Sequence, residues 1–185
     1  MWICTGGKIV GYDYKYVDMF PNDFDKLMCT SFRDILQKRD KYVSRAPLTR
    51  GFEIGPGWYP CLYSLCAQLD LIYRVTGLLV IVDQIKTKLG GLRIYYTIHD
   101  INSDEAIRTS KPDKEIWKSV LNQLCDDAQQ DSYKICSKCG LALRHRQIHI
   151  DGWIYDMCSK CIIEEKPSLA KKITKWLRDN EDRRL

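Results

Sequence analysis

Two short cysteine motifs, Cys136-Ser137-Lys138-Cys139-Gly140 and Cys158-Ser159-Lys160-Cys161, decide how the last third of this 185-residue chain is organised. The 18 residues between Cys139 and Cys158 fall within the range of about 15–20 that is typical of zinc sites built from two C-x-x-C pairs. Zn²⁺ takes four thiolates at about 2.3 Å in a tetrahedron. The spacing therefore predicts one structural zinc ion bound by Cys136, Cys139, Cys158 and Cys161. Four thiolates leave no coordination position open for a substrate.

The residues between the two motifs support this interpretation independently. Asp151-Gly152 is a strong signal for a two-residue hairpin turn, and it lies between two short apolar stretches. The turn predicts that Ile150 pairs with Trp153 and that Ile148 pairs with Tyr155. Because both strands run back toward the cysteine pairs, we expect a zinc ribbon.

Other uses of the same cysteines stay open at this point. The thiols could form two disulfides, serve as a redox motif or hold an iron centre, and His145 or His149 could replace one of them as a ligand. The chain has nine cysteines, no secretory signal and no apolar run near the ~18 residues that span a bilayer. We therefore expect a cytoplasmic protein with reduced thiols, no membrane contact and zinc as its single cofactor.

The rest of the chain alternates helical and strand patterns. Apolar residues recur at helical spacing from Trp58, and Gly77 is placed to end this helix. Strands are expected over 78–86 and 92–98, joined by a glycine-rich connection over 87–91. A further helix opens near Pro112, and its expected apolar stripe is Ile116, Trp117, Val120, Leu121, Leu124, Cys125 and Ala128.

The last predicted element is an amphipathic helix after Pro167, which is apolar on one side and rich in lysine on the other. These elements predict an α+β fold: a small core of helices and a β-hairpin, followed by a C-terminal four-cysteine zinc ribbon and the terminal amphipathic helix. We place an α+β core domain over 1–131 and the zinc ribbon with its basic helix over 132–185.

Positive charge is concentrated in that last third. The net charge of the chain is +5, and all of it comes from residue 132 onward, where 12 Lys and Arg face 7 Asp and Glu. A basic surface of this kind could contact phosphates while Trp153 or Tyr155 stacks on bases. The alternative is the solvated face of an ordinary amphipathic helix. The basic residues that we name as candidates are Arg144, Arg146, Lys171, Lys172 and Lys175.

A second block of sequence carries a family resemblance. Gly57-Trp58, Leu62 and Leu65, and above all the stretch 84–95 (QIKTKLGGLRIY), resemble small phage and bacterial proteins that have no assigned activity. Those proteins carry a Gly-Trp that opens a helix, a strand–turn–strand close to QVKEKFGGLRFY, a helix and a C-x-x-C knuckle. The match runs from Gly57 to Cys161, and this chain departs from it at Ile85, Thr87, Leu89 and Ile94. The resemblance implies a phage or prophage origin.

Lys86, Lys88 and Arg93 flank the Gly-Gly turn of this block, so they could form a contact surface on an exposed hairpin. The alternative is that the glycines satisfy turn geometry and that Arg93 pairs with a local carboxylate, so that the block only fixes the fold.

Three functions follow in order of preference. The first is a phage-type, non-enzymatic zinc protein in the cytoplasm of an infected or lysogenic bacterial host, which binds a host macromolecule, most simply a protein of the defence or transcription machinery. The second is a nucleic-acid-binding regulator that uses the basic zinc ribbon and the last helix. The third is an enzyme with a site around His99 and the loop 100–104, although no nucleophile–base pair is recognisable there.

Overall fold

The computed structural model describes residues 23–37, 52–101, 111–143 and 147–180. Within them lie helices α1 (Asp23–Ser31), α2 (Arg33–Gln37), α3 (Tyr59–Thr76), α4 (Lys111–Ser132), α5 (Ser159–Glu165) and α6 (Ala170–Asp179). The strands are β1 (Leu78–Lys88), β2 (Gly91–Asp100), β3 (Ile148–Ile150) and β4 (Trp153–Tyr155). The strands form two antiparallel hairpins, β1–β2 and β3–β4, so the predicted mixture of helices and small antiparallel sheets is confirmed.

Helix α3 begins and ends where the sequence indicates. A single 3₁₀ turn over Pro56–Trp58 leads into it, and Leu62, Leu65 and Leu69 are buried along one face. At its end Gly77 adopts a left-handed φ of 72°, and its N–H donates to the carbonyl of Tyr73. A residue with a side chain is strained in that conformation, which is why glycine ends the helix here.

The β1–β2 hairpin is longer and its turn is tighter than expected. Lys88 pairs with Gly91, so the connection is only Leu89-Gly90, instead of the predicted five residues. Both turn residues have positive φ, 52° and 70°. This conformation matches the twist of the flanking strands and lets the ladder continue to the turn. A leucine in this position is uncommon, which is why the sequence pattern did not reveal it.

Strand β1 is buried on both sides over its first half. Residues 78–82 are all buried, and α2, α3 and α4 all pack against β1. A strand covered on both faces has a continuous apolar run instead of an alternating one. The outer edge of β1 is also paired, because the Glu53 N–H donates to the carbonyl of Ile85 and the Thr87 N–H donates to the carbonyl of Glu53.

Side chains of α4 satisfy the outer edge of β2. The N–H of Leu92 donates to Ser132 Oγ over 2.8 Å, and the N–H of Ile94 donates to Gln129 Oε1 over 3.2 Å. Leu121, Cys125 and Ala128 pack into the core below this edge. The predicted stripe of α4 is wrong at two positions, since Ile116 and Val120 are exposed.

The C-terminal part has a small apolar core of its own. The strands pair as predicted, Ile148 with Tyr155 and Ile150 with Trp153, around a left-handed Asp151-Gly152 turn. Their inner side chains pack with Ile162 of α5 and Ile173 of α6. No helix in the described part of the chain is long and apolar enough to cross a membrane.

The Ser132 hydroxyl gives a direct test of how the edge of β2 is held. It is buried, and it also donates to the carbonyl of Gln129. We expect Ser132→Ala to lower the free energy of unfolding by about 1–3 kcal/mol, because the N–H of Leu92 loses its acceptor without gaining water. Thermal unfolding measures the loss. Ser64→Ala, on the exposed side of α3, serves as the control, and equal stability of the two variants would contradict the assignment.

Candidate metal centre

The structure brings the four predicted cysteine ligands together. The Sγ atoms of Cys136, Cys139, Cys158 and Cys161 all lie within 4.8 Å of one another, and those of Cys139 and Cys158 are 3.9 Å apart. A tetrahedral ion with metal–sulfur bonds of about 2.3 Å requires sulfur–sulfur distances of about 3.8 Å. The thiols are therefore spaced to hold one metal ion. This is the one group of three or more potential metal-binding side chains found among the described residues.

The first pair lies in a tight turn that its backbone closes. The N–H of Cys136 donates to the carbonyl of Leu141, and the N–H of Gly140 donates back to the carbonyl of Cys136, both over 2.9 Å. Gly140 has a φ of 74°, which confirms the expectation that glycine after Cys139 permits positive φ in this turn.

The second pair lies at the start of a helix. Cys158 is the residue just before α5, Cys161 lies in its first turn, and the N–H of Ile162 donates to the carbonyl of Cys158. A zinc ribbon places both pairs in hairpin turns, so that prediction is not confirmed. The sequence difference is that Cys161 is followed by Ile162-Ile163-Glu164-Glu165, which continue a helix, whereas Cys139 is followed by a glycine.

Backbone N–H groups make one thiol more acidic than the others. Burial alone raises the pKa of Cys136, but its Sγ accepts hydrogen bonds from the N–H groups of Cys139 and Cys158, at 3.5 and 3.2 Å, and the pKa falls to about 7. Burial raises the pKa of Cys158 and Cys161. The N–H groups around Cys136 thus favour its thiolate, and a metal ion held by all four sulfurs would require Cys158 and Cys161 to lose their protons as well.

The turn that contains Cys136 and Cys139, which we call the first metal turn, is held against the core by the residues that precede α3. The N–H of Gly57 donates to the carbonyl of Ser137 over 2.6 Å, and the indole Nε1 of Trp58, which is fully buried, donates to the carbonyl of Ile135 over 3.0 Å. A Cβ on Gly57 would lie 2.1 Å from the carbonyl oxygen of Cys136. Sequence patterns alone assigned Gly57-Trp58 no role at the metal centre. The glycines at 55 and 57 beside a tryptophan were the available signal of a close backbone approach.

The tip of the β1–β2 hairpin makes a second contact with the C-terminal part, in addition to the contact made by Gly57 and Trp58. The amide of Gln147 donates to the carbonyl of Leu89 over 2.7 Å, and a Cβ on Gly91 would lie 2.5 Å from the ring of Tyr133. The guanidinium of Arg93 lies over that ring, 5.4 Å from its centroid, and donates to its hydroxyl. Within the described part of the chain, the side-chain partner of Arg93 is thus a tyrosine instead of the carboxylate considered above, and Gly90-Gly91 permit close packing as well as the turn.

The remaining candidate residues are distributed over separate surfaces. Lys86 is half-buried, with its Nζ 2.8 Å from Gln84 Oε1 and 4.9 Å from the ring centroid of Tyr95, whereas Lys88 is exposed. On α6, Lys171 and Lys175 are exposed, and Lys172 pairs with Asp151 over 2.5 Å. Arg144, His145 and Arg146 lie outside the described residues.

The region of the third candidate function is described in part. His99 Nε2 lies 3.1 Å from Thr97 Oγ1, and Asp100 pairs with Lys114 over 2.6 Å. Residues 102–104 of the suggested loop lie outside the described part. His149 lies on the exposed side of β3, and it is not among the clustered ligands.

The close approach at Gly57 can be tested by adding one methyl group. We expect Gly57→Ala to destabilise the protein by about 3 kcal/mol or more, because the new Cβ collides with backbone atoms that cannot move aside. The same change should weaken metal binding, which a competition titration against a chelator measures. Gly152→Ala is the control. Gly152, unlike Gly57, has a positive φ, but its Cβ would meet nothing within 4 Å, so only the cost of the left-handed backbone, about 1–2 kcal/mol, is expected there. Equal losses of stability in the two variants would contradict the close approach of Gly57 to the turn that contains Cys136.

No protein-family model, curated protein or solved structure matches this chain. The chemistry of this chain is therefore inferred from its own structure. Its four thiols are clustered, two of them buried and one exposed, and the first turn of the site is bonded to the helical core.

Proposed function

We propose that the four thiols hold one Zn²⁺ ion and that this ion has a structural role. Four thiolates in a tetrahedral arrangement suit zinc or an iron centre. Zinc is preferred because it needs no redox partner and because four sulfur ligands close its coordination sphere. The ion would join the turn that contains Cys136 to the helix that begins after Cys158, and so would stabilise the C-terminal part against the core.

We further propose that the chain is a phage-type, non-enzymatic protein that binds a host protein of the defence or transcription machinery, in the cytoplasm of an infected or lysogenic bacterium. The phage assignment rests on the sequence resemblance. The observation that supports a binding role is the outer face of the β1–β2 hairpin near its tip. There Lys86, Lys88, Leu89 and Tyr95 present two cations, an aliphatic side chain and an aromatic ring; we call these four residues the hairpin surface.

The composition of the hairpin surface and the contacts that hold it in place both favour a protein partner. Leu89 is 65% exposed and Tyr95 is 41% exposed, and exposed aromatic and aliphatic side chains surrounded by polar ones are typical of protein contact sites. The contacts of Gln147 with Leu89 and of Arg93 with Tyr133 hold the tip in place. A rigid surface loses little conformational entropy when a partner binds.

Affinity purification tests the hairpin surface. A tagged wild-type chain expressed in its host should recover one stoichiometric host protein that resists nuclease treatment. A Lys88→Glu/Tyr95→Ala variant should lose at least ~10-fold of that recovery, because loss of one exposed anchor and reversal of a charge cost more than about 1.4 kcal/mol. Arg74→Glu, an exposed charge reversal on α3, should recover as much as the wild type. Undiminished recovery with the double variant would remove the hairpin surface from the proposal.

Nucleic-acid binding is a second candidate, and one specific observation favours it. Trp153 is 70% exposed at the β3–β4 turn, and the Lys172–Asp151 pair joins this turn to the exposed lysines of α6. Bases stack on exposed aromatic rings, and neighbouring lysines contact phosphates. This combination suits a single strand, because the bases of a single strand are free to stack.

Titration with a single-stranded oligonucleotide tests this second candidate. Trp153→Ala should weaken binding by ~5-fold or more, and Trp153→Phe should retain most of the affinity, because stacking on an aromatic ring contributes about 1–3 kcal/mol per base. Lys171→Ala/Lys175→Ala should reduce the slope of log K against log salt by about 0.7 for each phosphate that the variant no longer neutralises. Fluorescence anisotropy of a labelled strand measures both effects, and absence of binding at low salt rejects the candidate.

A further inference from the structure

Three cations share one face of the β1–β2 hairpin next to its tip. Lys86 and Lys88 are two residues apart on β1 and therefore point to the same face, and Arg93 pairs directly opposite Lys86 on β2. Tyr95 lies on this face as well, because it pairs with Gln84, two residues before Lys86. Arg93 therefore adds a third cation to the two that the hairpin surface contains.

None of the three cations pairs with a carboxylate in the part of the chain that the structure describes. Lys86 contacts a glutamine and a tyrosine, Arg93 donates to a backbone carbonyl and to a tyrosine hydroxyl, and Lys88 is exposed. All of these partners are neutral. By contrast, five other lysines pair with a carboxylate at 2.9 Å or less: Lys114, Lys118, Lys134, Lys138 and Lys172.

The pairing of Lys86 with Arg93 costs the hairpin stability, because like charges directly opposite each other in an antiparallel pair repel. Two acids lie near this pair in the backbone. Glu53 is exposed and bridges Lys86 along the other edge of β1, and Asp83 lies at the bulge of β1. Among the described residues, neither acid forms an ion pair with Lys86, Lys88 or Arg93. A ligand with negative charge would relieve the repulsion that these acids leave in place.

We propose that the hairpin surface binds an extended acidic segment of the partner protein, with two carboxylate side chains two residues apart. This inference rests on the proposed function, because it names the chemistry of the partner at that site. Residues two apart in an extended segment are separated by about 6.6–6.8 Å, which is also the separation of Lys86 and Lys88 on β1. A segment that lies along β1 therefore places one carboxylate near each lysine. An apolar side chain of the same segment can contact Leu89, which is exposed at the tip.

A peptide fits this face better than a nucleic acid does. Stacking of a base needs a free aromatic face, but the Nζ atom of Lys86 lies over the ring of Tyr95, 4.9 Å from its centroid. The exposed leucine beside the lysines offers contact to an apolar side chain and nothing to a phosphate. Arg93 is held over the ring of Tyr133, so its charge is fixed in place before a ligand arrives.

Titration of the zinc-loaded full chain with a synthetic peptide, followed by nuclear magnetic resonance, tests the proposal. The probe is a peptide of about ten residues that carries two Glu residues two positions apart and one Leu. Backbone amide signals of residues 84–95 should shift, with a dissociation constant of about 1 mM or lower. A control peptide has the same composition but places the two Glu residues next to each other. It should bind at least ~3-fold more weakly, because adjacent side chains of an extended segment point to opposite faces.

Charge variants of the chain locate the site. Lys86→Gln/Lys88→Gln should weaken binding of the probe peptide by ~3-fold or more, because two exposed charge pairs are lost. Lys171→Gln/Lys175→Gln is the matched control. It removes the same charge from exposed positions of α6 and should leave the affinity unchanged. Glu53→Gln should tighten binding by ~2-fold, because it removes a negative charge beside the site. Signals outside the hairpin show whether each variant keeps the fold.

Three outcomes overturn the proposal. The first is a wild-type chain whose signals at residues 84–95 do not shift with the probe peptide at about 5 mM. The second is an equal loss of affinity in the hairpin variant and the α6 control, since net charge alone would then explain binding. The third is a single-stranded oligonucleotide that shifts the same signals at lower concentration than the peptide, which assigns the face to phosphates.

Failure of this inference and failure of the proposed function give different results. Recovery of a host protein that depends on Lys88 and Tyr95, without any binding of the probe peptide, would leave the proposed function standing and reject only the acidic segment. Binding of the probe peptide with no recovered host protein would reject the host partner and support the chemistry assigned to the hairpin surface.

Discussion

The backbone of the first metal turn lies directly against the segment that leads into α3, and most other features of the structure depend on this contact. Gly55 and Gly57 have no room for a Cβ beside the carbonyl groups of Cys136 and Ser137. Trp58 extends from the same segment into the core and donates to the carbonyl of Ile135. The helical core and the thiol cluster are therefore joined through main-chain atoms. A contact between side chains could not easily replace this connection.

This contact connects the metal to the rest of the fold. A bound ion would fix the turn at Cys136, and the turn in turn supports the residues that begin α3. The hairpin tip is held from the other side by Gln147 and Tyr133. Because metal ligands are rarely pre-assembled in an unfolded chain, the free energy of metal binding becomes free energy of folding. Each proposed binding surface is thus carried by an element that the metal centre or its neighbours hold in place.

Local signals in the sequence predicted the local features well. The spacing of the four cysteines identified the thiol cluster, Asp151-Gly152 fixed the register of β3–β4, and Gly77 marked the end of α3. The features that were missed depend on tertiary context. Leu89 adopts a positive φ because the strands on both sides impose it, and the pairing of Arg93 with Tyr133 joins residues 40 positions apart. Helical periodicity placed Ile116 and Val120 in the core, because spacing alone cannot distinguish a buried stripe from an apolar face that meets solvent or a partner.

Hydrogen exchange at the segment before α3, with and without metal, tests the central claim most directly. The N–H of Gly57 donates to the metal turn and is buried with it, so its exchange reports whether the ion supports the contact. We predict that removal of the metal with a chelator greatly speeds exchange in peptides covering both 52–62 and 134–143, and that added zinc restores protection in both. Unchanged protection of 52–62 after metal removal would contradict the account, since the core would then hold that segment without help from the metal centre.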